Sequence, residues 1–99
     1  MNGFTDPPNA AALMCQHVLK VELPILFVSH DADDGGWQFL CNTREHGADD
    51  LAIVALHRAT DLDATLSEVG DLPLGFVATR LSPGQSWRIQ PNPDQTGVE

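Results

Sequence analysis

The chain has few groups with which to neutralise a polyanion. Only five of its 99 residues are basic (Lys20, Arg44, Arg58, Arg80 and Arg88), and they are scattered. Without a basic run to displace counterions from phosphates, no nucleic-acid partner is expected. Fourteen acidic residues bring the net charge to −9, which an anionic membrane surface would repel. Long apolar segments are missing as well. Runs such as Pro24 to Val28 fall far short of the roughly 18 residues of a membrane span, so no membrane role is expected. Met1 to Asn9 carries Asp6 and two prolines and lacks the apolar core of a secretory signal. A cytoplasmic location follows as the expectation, with Cys15 and Cys41 as reduced thiols.

Several enzyme signatures are absent too. There is no phosphate loop, dinucleotide fingerprint or H-E-x-x-H helix, and no G-x-S-x-G elbow. No cofactor is expected, and the sequence leans towards a non-enzyme. Ser29-His30-Asp31 contains the residue types of a hydrolase triad. Neighbours on a strand point to opposite faces, however, so Ser29 and His30 cannot pair as nucleophile and base.

The residues present suffice for one folded domain. At 42% hydrophobic, the chain can bury a core without a disulfide or metal staple. A single globular domain is expected over 10–90, between an N-terminal arm (1–9) and a C-terminal tail (91–99). The fold class is α+β: a small, mostly antiparallel sheet around a hairpin at 24–42, with one or two short helices packed on it.

The hairpin is the clearest element. Ile25 to Val28 is rich in strand formers, and Trp37, Phe39 and Cys41 alternate onto one apolar face. Between these runs lies His30 to Gly36, whose aspartates and glycines suit a reversal longer than the two-residue ideal. Ahead of the hairpin, Asn9 is placed to cap a helix running to about Lys20, with Ala10, Met14, Val18 and Val21 on one stripe. Leu51 to Leu56 fits a strand or a helix, and its β-branched Ile53 and Val54 favour the strand. A short helix is expected over Asp63 to Val69, closed by Gly70. A strand at 76–80 and a short edge strand at 87–89 complete the pattern.

Three groups of residues carry possible chemistry. The first, Asp31-Ala-Asp33-Asp34-Gly-Gly36, matches a calcium loop at positions one, three and six. Gly35 at position five and Asn42 at position twelve do not ligate, so an acidic turn is the better reading. Asp31, Asp33 and Asp34 are instead candidate contacts for a basic protein partner, with Trp87 beside Arg88 as an interface anchor. The last group is Cys15, His17, Cys41 and His46, which supply the donor types of a Cys₂His₂ zinc site at an uncommon spacing. On a regular helix Cys15 and His17 would lie about 200° apart and could not share a metal; only an extended segment aligns them. Binding and metal or thiol chemistry are thus the two functional readings, and the first is preferred. Nothing in the sequence sets the oligomeric state.

The blocks Cys15-Gln-His17-Val18-Leu19, Pro24 to Asp31 and Gly36-Trp37-Gln38-Phe39-Leu40-Cys41 carry a resemblance. They look like small bacterial proteins of unknown function with a C-x-H-V start and a G-x-W-Q-F-L-C strand, similar to a domain grouped with immunity proteins of polymorphic toxin systems. The stretches 63–66 and 72–78 fit the same group, so the likeness spans 15–88. It implies a compact α+β fold, a bacterial cytoplasmic setting and an immunity- or inhibitor-like role. It supplies no catalytic residues. Asn42 departs from the group, which has glycine after the second cysteine.

Overall fold

Alternation of apolar residues sets the architecture. The computed structural model describes residues 9–32, 35–41 and 50–91. In chain order the elements are β1 (Ala11–Cys15), α1 (Gln16–Leu19), β2 (Phe27–His30), β3 (Trp37–Leu40), β4 (Leu51–Ala55), α2 (Leu56–Leu62), a 3-10 helix (Ala64–Val69), β5 (Phe76–Thr79) and β6 (Arg88–Pro91). The strands form one six-stranded sheet in the order β4-β1-β3-β2-β5-β6.

The expected hairpin is present as β2 and β3, antiparallel with Phe27 opposite Leu40 and His30 opposite Trp37. Its reversal is closed by two backbone bonds, Asp31 N–H to the Gly36 carbonyl at 2.8 Å and Gly35 N–H to the Asp31 carbonyl at 2.9 Å. Gly35 has φ +73°, a conformation a side chain would strain. The strands expected at 51–56 and 76–80 are β4 and β5, and β6 lies at the sheet edge.

The N-terminal helix does not form as expected. Residues 11–15 are strand, and only 16–19 are helical. The run Ala10-Ala-Ala-Leu-Met fits a period of two as well as a helical stripe. Long-range pairing decides between them: β1 is hydrogen-bonded to β3 on one side and to β4 on the other. Ladders on both sides outweigh the helical preference of alanine, which is a weak prior. The sheet is also mixed rather than mostly antiparallel. β1 runs parallel to β3, with Ala12 opposite Trp37 and Met14 opposite Phe39, while the other pairings are antiparallel.

One sheet face carries Ala12, Met14, Val28, Trp37, Phe39 and Ala78, all buried. Leu56 and Ala59 of α2, Leu66 and Val69 of the 3-10 helix, and Leu72 join them in one core. Full burial of a side chain the size of Phe39 contributes roughly 2–3 kcal/mol. The helix expected at 63–69 is the 3-10 helix, capped by Asp63. Gly70 follows it with φ −64°, so the left-handed glycine cap is not used. α2 was not foreseen; its Leu56, Ala59 and Leu62 are spaced by three. Asp33, Asp34, His46, the arm before Asn9 and the tail after Pro91 lie outside the described residues.

α1 ends in an unusual way. Glu22 N–H bonds the His17 carbonyl at 2.8 Å, and Val21 N–H bonds the Val18 carbonyl at 2.9 Å. This is a Schellman cap, which normally places glycine at the left-handed position. Here that position is Val21, with φ +60° and 73% of its surface exposed. A left-handed conformation costs an L-residue roughly 1–2 kcal/mol, and the exposed side chain recovers little by packing. Val21→Gly is therefore expected to stabilise the fold by about 0.5–1 kcal/mol after the added entropy of glycine in the unfolded chain. The check is the urea midpoint at unchanged m-value.

Candidate metal centre

The parallel pairing of β1 and β3 puts their C-terminal ends side by side. Cys15 ends β1, and Cys41 follows directly after β3. Cys15 is also the N-cap of α1, with extended backbone at φ −73° and ψ 154°. The chain therefore bends between Cys15 and His17, and the helical separation that would have kept them apart does not arise. One donor atom from each of Cys15, His17 and Cys41 lies within 4.8 Å of the other two. Cys41 Sγ and His17 Nδ1 are 4.0 Å apart.

Zinc would require a modest contraction. With Zn–S near 2.3 Å and Zn–N near 2.0–2.1 Å, tetrahedral donors stand roughly 3.3–3.8 Å apart. Both sulfurs are fully buried, whereas His17 is half-buried and faces partly outwards. Burial is the main influence on the Cys15 thiol and pushes its pKa up. The backbone groups of Val18 and Cys41 pull it down, and the charge and hydrogen bond of Cys41 push it up again. The metal-free pair is thus held as thiol at Cys15, and a metal would displace that proton.

Of the four expected donors the structure brings three together, and His46 lies outside the described residues. Of the acidic group, Asp31 is placed elsewhere. Asp31 accepts from Ser29 Oγ at 2.6 Å and from Gln38 Nε2 at 2.8 Å, so its carboxylate is engaged within the hairpin. His30 stacks on Trp37 with centroids 3.9 Å apart, and its Nδ1 lies 2.6 Å from the Leu72 carbonyl. A carbonyl only accepts, so that nitrogen carries the proton. Ser29 and His30 therefore have separate partners, and no triad assembles. A mostly apolar depression of about 240 Å³, lined in part by Ala11, Leu13, Trp37 and Ile53, lies at the opposite ends of β1 and β3.

No family model, characterised protein or solved structure matches the chain. Among the described residues, no helix is long and apolar enough to cross a membrane. The chemistry of the centre therefore rests on its own donor set.

Sequence reasoning missed Arg80. It is 6% exposed, and its guanidinium donates to the Ile25 carbonyl from Nε at 3.2 Å and from Nη2 at 2.9 Å. Nη2 also reaches the Asp63 carboxylate at 2.6 Å, and Nη1 reaches Thr65 Oγ1 at 3.1 Å. Trp87 lies over the guanidinium at 4.1 Å from Cζ to ring centroid. Trp87 is thus committed to a buried cation of its own chain. A single Arg after a strand gave no periodic signal of this.

Burial alone would raise the Asp63 carboxyl, but hydrogen bonds from Thr65 and Arg80 outweigh it and hold the pKa below the usual carboxylate range. The resulting stability is present above the unfolded value near 3.9 and is lost as pH falls through the folded value. Asp63→Asn should cost about 3 kcal/mol at pH 7, because it leaves a buried guanidinium without its counter-charge. The gap between wild type and variant should narrow below about pH 4, which paired urea unfolding curves across pH would show. Among the described residues, the indole N–H of Trp87 is buried without a partner. Trp87→Phe keeps the ring and removes that orphan donor, so it should be neutral or stabilising by up to about 1 kcal/mol; Trp87→Ala should destabilise. Thermal melts of the two variants separate these outcomes.

Proposed function

We propose that this is a small metal-binding protein that holds a zinc-like ion through Cys15, His17 and Cys41. The observation supporting this is the convergence of two thiols and an imidazole within 4.8 Å from segments that the sheet, not local sequence, brings together. Two sulfurs and one nitrogen suit a soft or borderline cation and exclude calcium or magnesium, which take oxygen ligands. Three side chains leave a fourth position for water or for His46.

The inhibitor-like reading is the weaker of the two. Of the residues it would use, Asp31 is engaged in the hairpin and Trp87 covers Arg80. Net charge is its main remaining support.

The metal reading is tested by titrating reduced protein with zinc against a competing chelator, and by substituting cobalt. One zinc per chain is expected, with thiolate-to-cobalt charge-transfer absorption in the near ultraviolet. Cys15→Ser, Cys41→Ser and His17→Ala should each weaken binding by about 100-fold or more, since each removes a direct ligand. An equal loss in His46→Ala would assign the fourth ligand; an unchanged affinity would assign that position to water. Failure of wild-type reduced protein to bind zinc would overturn the reading.

A further inference from the structure

The two sulfurs of the centre also form a pair in their own right. Both cysteines are fully buried, and they are the only two in the chain. The last paired residues of β1 and β3 are Met14 and Phe39. Cys15 closes β1 and Cys41 directly follows β3, at the same end of the sheet. The Sγ atoms, within 4.8 Å, would need to close to about 2.05 Å. α1 can accommodate that shift, because it is a single turn of four residues that follows directly on Cys15.

We propose that Cys15 and Cys41 form a reversible disulfide that switches the metal site off. This regulation rests on the metal reading above. A metal needs the lone pairs of both thiolates. In the disulfide each sulfur is bonded to the other, and among the described residues only the His17 imidazole is left as a donor. A single imidazole cannot retain zinc against competitors.

The oxidant is a small hydroperoxide. One thiol gives up its proton as its sulfur attacks a peroxide oxygen, the O–O bond breaks, and a sulfenic acid forms as hydroxide leaves and takes up that proton to become water. The second thiol attacks the sulfenic sulfur, the S–S bond forms, and the S–OH oxygen departs as a second water. Two thiol protons and two electrons pass to the peroxide in all. A small dithiol reverses the bond through a mixed disulfide and is itself oxidised to its cyclic disulfide. Intermolecular bonding competes poorly, because both sulfurs are enclosed.

The test compares reduced and hydrogen-peroxide-treated protein, prepared metal-free, with His17→Ala as a variant that keeps both thiols. Oxidation should remove about 2 Da and yield a Cys15–Cys41 cross-linked peptide in a non-reducing digest. Zinc affinity should fall by about 100-fold or more and return after dithiothreitol. His17→Ala should form the same disulfide although its zinc binding is already weak. Formation of sulfonic acid or a chain dimer, with reduced protein binding zinc normally, would overturn the switch alone. Disulfide-bonded protein that binds zinc as tightly as reduced protein would also overturn it. Reduced protein that forms the disulfide yet never binds zinc would overturn the metal reading and the switch together.

Discussion

Parallel hydrogen bonding between β1 and β3 determines where the donor atoms meet. Because the two strands run the same way, their carboxyl ends share one edge of the sheet, and a cysteine stands at each. In an antiparallel pair Cys15 would face the start of β3, beside the acidic hairpin turn. The pairing also fixes the transition from strand to helix at Cys15, since β1 ends where its partner does. His17 then emerges from the first turn of α1 on the same side as the thiols. Its carbonyl anchors the Schellman cap through Glu22. The strained Val21 thus belongs to the structure that sets the His17 backbone, and backbone strain of this kind tends to be retained near functional groups.

A second constraint acts at the same end of the sheet, where Arg80 N–H bonds the Leu26 carbonyl and Leu26 N–H bonds the Leu40 carbonyl. Arg80 joins the end of β5 to the Ile25 carbonyl before β2, to Asp63 and Thr65 at the start of the 3-10 helix, and to the Trp87 ring before β6. One cation thus ties together four segments distant in sequence. A buried guanidinium contributes little net stability when fully paired, but losing a single partner is severe. Its weight is therefore in specifying which segments lie together.

The parts that could be read from the sequence are those whose signals are local. The β2–β3 hairpin announces itself through Trp37, Phe39 and Cys41 alternating after an aspartate- and glycine-rich turn, and β5 through a run of strand formers. β1 could not be read, because Ala-Ala-Leu-Met satisfies two periods and the deciding ladders come from residues 37–39 and 51–55. α2 was hidden behind the strand-like Leu51 to Leu56, whose last residue starts the helix. The donor set Cys15, His17 and Cys41 was visible by residue type. Its convergence was not, because the 200° objection assumed a helix that gives way to a strand at the critical residue. Arg80 was invisible for the same reason as β1: its hydrogen-bond partners are 15 to 55 residues away.

The strand order has a consequence for biosynthesis. β1 is made before both of the strands that flank it in the sheet, so it must wait for its ladders. Cys41 follows Cys15 by 26 residues, roughly one to five seconds of ribosomal elongation at ~5–20 residues per second. Throughout that interval no short segment contains both sulfurs in binding geometry. A zinc finger can be nucleated by its ion as the chain emerges, but this chain has to assemble the middle of its sheet before Cys15, His17 and Cys41 come together.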